Sequence, residues 1–170
     1  MMKPISVWKQ ELSGGAHAAR LAALYCCAPE QTPAQAARYE AVLDGLEATF
    51  GPHAEAGLYS APGRTEIGGN HTDHQHGRVL AGSVNIDMIA AAGPNTLGQL
   101  RVQSEGYDLC VIDLNDLAAR KEEENTSAAI LRGECEAFRQ RGAKLSGLDV
   151  YISSNVPKGR AFRPLPPLRC

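Results

Sequence analysis

The residues best suited to chemistry are concentrated in one short stretch, GRTEIGGNHTDHQHG, which runs from Gly63 to Gly77. Between its glycines it carries Arg64, Glu66, Asn70, His71, Asp73, His74 and His76. Imidazole and carboxylate groups suit zinc, glycines let a backbone approach a phosphate closely, and short hydrogen-bonding side chains can hold the hydroxyl groups of a sugar. The stretch therefore indicates a metal site, a phosphate loop, a sugar pocket or a polar surface loop.

Spacing weighs against two of these interpretations. HTDHQH superficially resembles the HxHxDH run of metallo-hydrolases, but its order differs, and the remaining histidines, His17 and His53, lie in a helical N-terminal region. Neither GxGxxG nor GxxxxGK[ST] is present, so the glycines do not form a standard nucleotide loop. A sugar pocket built from Asn70, His71 and Asp73 and a polar turn that only satisfies itself both remain open.

A long helix is predicted before this stretch, in TPAQAARYEAVLDGLEATFG. Thr32 can cap it, Pro33 suits its first turn, and Gly51 with Pro52 ends it. Its apolar residues recur at spacings of three and four, at Ala36, Tyr39, Val42, Leu43, Leu46 and Phe50. This period is that of a helix packed on a core.

Short β-rich runs separated by turn signals follow from Leu58 to Leu114 and predict antiparallel strands and hairpins. Next, Thr126 or Ser127 is expected to cap a helix with Ile130, Leu131, Cys135 and Phe138 on its apolar face. A last strand, LDVYISSNV, is predicted with Leu148, Val150 and Ile152 facing inward. We therefore predict an α+β fold, in which N-terminal helices precede a mostly antiparallel sheet with a packed helix.

Composition restricts the class of protein. With 170 residues, 44% of them hydrophobic, the chain can form the core of one domain. Its net charge of -2 argues against nucleic acid as a partner. We expect a cytoplasmic protein without a membrane segment, because no apolar run has the length of a signal peptide or a spanning helix. Its 5 cysteines, without CxxC spacing, predict free thiols rather than disulfides or structural zinc.

One family resemblance goes further than composition. The stretch SAPGRTEIGGNHTDHQHGRVLAGSVN is similar to the galactokinase signature of the galactokinase, homoserine kinase, mevalonate kinase and phosphomevalonate kinase superfamily. The resemblance continues through LRVQSEGYDL, TSAAILRGECEAF and GLDVYISSNVPKG, and so covers at least Tyr59 to Gly159. It implies a helical N-terminal extension over residues 1–55 and a truncated galactokinase-like N-terminal domain over 56–159.

The resemblance implies an ATP-dependent kinase that uses Mg²⁺ and phosphorylates the anomeric hydroxyl of galactose or a related monosaccharide. Arg64 would be the catalytic residue beside the transferred phosphate, and Ser104 an adenine-nucleotide contact; no metal ligand is assigned. The implied sugar contacts are Asn70, His71, Thr72 and Asp73. Asn70 stands where the family usually has glutamate, which keeps a carbonyl oxygen but removes a charge and leaves the sugar preference open.

The last residues, 160–170, depart from the family, which continues here with a serine-rich glycine loop close to AGLSSSAAFEVL. Instead the chain reads RAFRPLPPLRC. Residues 160–170 and a following TGA stop can be encoded by synonymous codons that also fit a second reading frame. With one G added in front and the frame shifted accordingly, the same bases encode AGLSSSAAFEVL. We therefore hypothesise a single-base deletion near the Gly159 codon and an out-of-frame, disordered tail. Resequencing the DNA tests this hypothesis, which an intact frame for a natural arginine-proline tail would overturn.

On this hypothesis, residues 1–170 lack the phosphate loop, the catalytic aspartate and the C-terminal domain of the family, and are expected to be inactive alone. Two alternatives remain. A non-catalytic sugar-binding or regulatory fragment would saturate with galactose in calorimetry, and a zinc hydrolase would carry stoichiometric metal. The oligomeric state is not determined by the sequence.

Overall fold

A computed structural model of the chain describes residues 2–69 and 76–157, in which helices pack on a six-stranded sheet. The first part contains β1 (Lys3–Pro4), α1 (Ile5–Ser13), α2 (Ala18–Tyr25), a 3-10 turn (Pro29–Gln31) and α3 (Thr32–Phe50). The second contains β2 (Glu55–Gly68), β3 (Leu80–Pro94), β4 (Gln99–Ser104), β5 (Cys110–Asp113), a 3-10 turn (Lys121–Glu123), α4 (Ser127–Gln140) and β6 (Leu148–Ser154). The predicted α+β class is confirmed.

The sheet has the strand order β1-β2-β3-β6-β4-β5. All neighbouring strands are antiparallel except β4 and β6, which are parallel and are connected through β5 and α4. Because β2, β4 and β6 run in one direction, Gly68, Ser104 and Ser154 finish their strands at the same end of the sheet. We call this the Gly68 end, and the opposite end, where β2 begins, the Glu55 end.

The core lies between α1–α3 and one face of the sheet. Five of the six apolar positions predicted for α3 are buried, and Phe50 packs against them while partly exposed. Ile89 and Ala91 of β3 belong to the same core. Thr32 is not the cap, however: the helix is preceded by Gln31, and the Thr32 hydroxyl donates to the carbonyl of Pro29. The division at residue 55 stays a prediction, and residues 160–170 lie outside the described residues.

The inward face of β6 is the reverse of the prediction. Asp149 is 1% exposed and Tyr151 packs against the helical core, whereas Leu148, Val150 and Ile152 lie on the other face and are half-buried. Alternating polarity normally identifies the buried face, but here the carboxylate is buried because it is fully paired. Hydrogen bonds that span the fold therefore override the local pattern.

The face predicted for α4 is also partly wrong. Thr126 caps the helix as expected, since its hydroxyl accepts from the Ala129 N–H at 3.3 Å. Ile130 and Phe138, however, are 44% and 58% exposed, and the buried residue of the helix is Arg132. Its guanidinium donates to both carboxylate oxygens of Glu123, at 2.8 and 2.6 Å, so its charge is satisfied where it is buried.

Candidate functional site

Arg64 lies near the Gly68 end of β2, where pairing with β3 becomes irregular. Pro62 pairs with Asp87 but Arg64 pairs with Ser83, so β3 contains extra residues at this point. Such bulges bend a strand and change the direction of its side chains, and they occur often beside binding sites. The Arg64 side chain is 38% exposed, which leaves its guanidinium accessible to a ligand.

Glu66 lies on the same face of β2 as Arg64, because successive side chains alternate and the pairing is regular between them. Arg64 Nη2 and Glu66 Oε1 are 3.8 Å apart, and the Glu66 side chain is 21% exposed. Across the hairpin, the two residues face Ser83 and Ala81, whose short side chains leave space above the strands. Sequence reasoning assigned Glu66 no role, although its spacing of two from Arg64 was a usable signal.

Gly69 sets the end of the strand. Its φ of +89° belongs to the region that favours glycine, and a Cβ at this position would lie 2.2 Å from the carbonyl oxygen of Arg78. The chain thus leaves β2 and rejoins the hairpin at neighbouring points of the Gly68 end. The predicted sugar contacts Asn70, His71, Thr72 and Asp73 fall between these points, outside the described residues, and they stay predictions.

Ser104 is half-buried at the end of β4, at the same end of the sheet but far from Arg64. It pairs with Ile152, which pairs with Ala90, which pairs with Tyr59. With about 4.8 Å between strands and 3.3 Å per residue, Ser104 and Arg64 are roughly 20 Å apart. The structure does not bring them together around one monosaccharide. A nucleotide contact at Ser104 stays a prediction.

Metal ligands do not converge in the described ranges, where no group of three or more His, Cys, Asp or Glu side chains could hold an ion. His17 instead contacts Glu11 at 2.8 Å, and His53 contacts Asp149 at 3.0 Å. The zinc alternative depends on His71, Asp73, His74 and His76, of which the first three lie outside these ranges.

A buried carboxylate that the sequence analysis missed fixes the helices to the sheet. Asp87 is 2% exposed and accepts from Tyr25 and Ser60, each at 2.6 Å, and from Arg38 at 2.8 Å. Burial, together with the hydrogen bond to Asp87, raises the pKa of Tyr25, so its hydroxyl stays a neutral donor. The cluster joins α2 and α3 to β2 and β3, which positions the strand that carries Arg64.

A second buried carboxylate, Asp149, lies beside a cavity of about 420 Å³ at the Glu55 end. It accepts two hydrogen bonds from Arg101, at 2.7 and 2.6 Å, one from Asn95 at 2.6 Å and one from His53 at 3.0 Å. Burial raises the pKa of Asp149, but these hydrogen bonds outweigh it and hold that pKa below its ordinary value. Since both oxygens are occupied, we interpret the cluster as structural.

The β2–β3 hairpin, which carries Arg64, lies within a region that matches a known protein family. A family model described as the galactokinase galactose-binding signature matches residues 46–94, from the end of α3 through β3. This is a galactokinase-like chain. It is 34% identical over 105 residues to a galactokinase of Streptomyces coelicolor and 28% identical over 119 residues to one of Lacticaseibacillus casei.

The galactokinase-like chain covers only part of these relatives. The aligned regions are 61% and 69% of this chain but 27% and 30% of the respective relatives. It therefore spans less than a third of the length of these curated relatives.

Solved structures show the same fold. The galactokinase of Lactococcus lactis, determined in complex with galactose, aligns with a TM-score of 0.60 at 20% identity, over 73% of this chain and 31% of that one. A mevalonate kinase of Methanococcus jannaschii aligns with a TM-score of 0.51 at 10% identity, over 65% and 36% respectively. The described residues therefore have the fold of the matched part of both kinases. Every helix within residues 2–69 and 76–157 is too short or too polar to span a membrane.

Proposed function

We propose that the galactokinase-like chain provides the sugar-binding part of a cytoplasmic, ATP-dependent kinase that phosphorylates the anomeric hydroxyl of galactose. The match of the galactose-binding signature to residues 46–94 carries this proposal. Those residues include the β2–β3 hairpin, the strand position of Arg64 and the interval that contains the predicted sugar contacts. The galactose complex of the Lactococcus lactis relative supports the same sugar.

The residues assigned to the sugar have the required hydrogen-bonding groups. The Asp73 carboxylate accepts from hydroxyl groups, the Asn70 amide accepts and donates, and His71 and Thr72 can each do either. Holding one hydroxyl in line with the transferred phosphate supplies much of the rate enhancement, because a positioned group reacts at a high effective concentration. In this proposal the segment's task is orientation of the sugar.

Arg64 supplies the positive charge. Phosphoryl transfer asks little covalent chemistry of the protein and depends on positioning and on cations that face the developing negative charge. The partly exposed guanidinium of Arg64 lies at the Gly68 end of the sheet, just before the interval assigned to the sugar. It therefore fits the role of a contact to the phosphate that joins the sugar.

ATP and Mg²⁺ would supply the phosphoryl group and additional charge neutralisation. Within residues 2–69 and 76–157, no group of three or more acidic, histidine or cysteine side chains could hold a metal ion without further ligands. Ser104, at the same end of the sheet but distant from Arg64, fits a contact to a second, separate ligand such as the nucleotide.

The proposal is tested by following the amide NMR signals of ¹⁵N-labelled chain during titration with galactose and with glucose. Galactose is expected to shift signals between Arg64 and Arg78 and to saturate at lower concentration than glucose. Asp73→Asn is expected to weaken galactose binding about ten-fold or more, because hydrogen bonds to a charged group contribute about 1.5–3 kcal/mol. Asp108→Asn, in an exposed loop after β4, is the matched control.

Two results would contradict the proposal: galactose that perturbs no signal near the β2–β3 hairpin, or an Asp73→Asn chain that binds as well as the parent.

A further inference from the structure

A carboxylate accompanies the cation at the proposed phosphate contact. Glu66 lies two residues after Arg64 on the same strand face, and their charged atoms are 3.8 Å apart. Neither the sequence of the Gly63–Gly77 stretch nor the sugar contacts proposed above assign a role to Glu66. An acidic side chain beside the group that meets a phosphate needs an explanation, because it repels the same anion that the arginine attracts.

The geometry of the pair limits what Glu66 can do. At 3.8 Å the contact is longer than a hydrogen bond, so Glu66 attracts the guanidinium by charge without occupying one of its N–H donors. The carboxylate is also less exposed than the guanidinium, at 21% against 38%. Glu66 therefore leaves the N–H groups of Arg64 to other partners, while its carboxylate stays close enough to oppose an incoming negative charge.

The surroundings favour this arrangement. Ser83 and Ala81 face the pair across the hairpin, and both side chains are too short to hold either charge in another position. The register shifts on both sides, at Pro62/Arg64 and Glu66/Gly68, leave this short run of regular pairing between two irregular places. Arg64 and Glu66 thus form a local unit on the strand.

We infer that Glu66 is a positioning residue that orients Arg64 and weakens its hold on the sugar phosphate, which favours release of the product. The inference rests on the proposed function and adds one property to it: discrimination between a neutral sugar and its dianionic 1-phosphate. It predicts that loss of the carboxylate strengthens binding of the phosphorylated sugar while binding of the free sugar stays the same.

The test compares dissociation constants of galactose and galactose 1-phosphate for the parent chain, Glu66→Gln and Glu55→Gln, measured by NMR titration at low salt. An exposed ion pair corresponds to a change of about two- to five-fold in affinity. Glu66→Gln is expected to bind galactose 1-phosphate more tightly by this factor and galactose as before. Glu55→Gln removes the same charge from the opposite end of β2 and is expected to change neither constant. Raising the salt concentration should reduce the effect, because ions screen exposed charges.

Inorganic phosphate, followed at the Arg64 side-chain Nε–H signal, separates this inference from the proposed function because it needs no sugar. Tighter phosphate binding by Glu66→Gln supports the inference even if galactose fails to bind, which would refute the proposed function alone. An unchanged phosphate constant, or an equal change for galactose and its 1-phosphate, overturns the inference. Glu66→Asp keeps the charge on a shorter side chain, so it should restore most of the parental ratio, and it provides a second variant if the glutamine chain does not fold.

Discussion

The replacement Asp149→Asn tests whether a buried charge cluster stabilises the scaffold of this site. Asp149 is 1% exposed and takes four hydrogen bonds from three side chains that belong to different parts of the chain. Asparagine keeps the size of the side chain. It removes the negative charge, however, and places an N–H group where the carboxylate now accepts from Arg101 or His53.

The size of the effect follows from this geometry. Removing one partner of a buried ion pair costs about 3–5 kcal/mol, because the other charge is left without compensation. The Arg101 side chain is 22% exposed, so water can hydrate part of its charge, and we expect the lower end of that range. A loss of about 3 kcal/mol is a large share of the roughly 5–15 kcal/mol that stabilises a typical domain.

Urea unfolding followed by circular dichroism and by fluorescence of Trp8, the single tryptophan, measures this loss. Asp108→Asn serves as the exposed control and is expected to change the free energy of unfolding by less than about 0.5 kcal/mol. A double-mutant cycle with Arg101→Gln isolates the coupling between the two side chains. A loss below about 1 kcal/mol for Asp149→Asn, at an unchanged denaturant slope, would show that the cluster contributes little.

Two further predictions concern stability. Because hydrogen bonding holds the pKa of Asp149 below its ordinary value, Asp149 contributes stability above about pH 4, and this stability is lost as pH falls through the lower folded-state pKa. Acid unfolding of Asp149→Asn should lack this part of the pH dependence. Parallel acid-unfolding profiles for the parent chain and the variant would contradict the prediction. Gly45→Ala should lower the melting temperature, because its Cβ would lie 2.4 Å from the Tyr151 ring and overpacking exceeds the gain in helix propensity. Gly133→Ala in α4, where a Cβ meets open space, should raise the melting temperature. Equal changes in melting temperature for Gly45→Ala and Gly133→Ala would refute the packing argument.

Local patterns predicted those elements whose buried face is apolar. In α3 the three-and-four spacing identified Val42, Leu43 and Leu46, all of them fully buried. The antiparallel strands followed from short β-rich runs and turn residues, and the Thr126 cap from its side chain, but β3 and β4 form no hairpin because β6 lies between them. In these elements the local preference and the tertiary packing agree.

Prediction failed where a charged residue is buried. The buried sides of β6 and α4 contain Asp149 and Arg132, which the alternation of polar and apolar residues assigned to solvent. Both depend on partners elsewhere in the chain: His53 is 96 residues from Asp149, and Glu123 is 9 residues from Arg132. A pattern read within one element contains no information about such partners. In the candidate site, the family resemblance supplied the proposed role of Arg64, whereas the distance from Arg64 to Glu66 required coordinates.

The two ends of the sheet hold their charges in opposite ways, and this difference separates stability from ligand binding. At the Glu55 end, Asp149 has donors within 3.0 Å at both oxygens and no capacity left for a ligand. At the Gly68 end, Arg64 and Glu66 are partly exposed and 3.8 Å apart, too far for a hydrogen bond. Asp149 pairs with Gly93, opposite the start of β2, so roughly 25 Å of strand separates it from Arg64. A scaffold fixed firmly at one end can carry weakly paired charges at the other without losing its fold. Loss of Asp149 should therefore lower the free energy of unfolding and leave the ratio of sugar to sugar-phosphate affinity unchanged. Loss of Glu66 should change that ratio and leave the free energy of unfolding nearly the same.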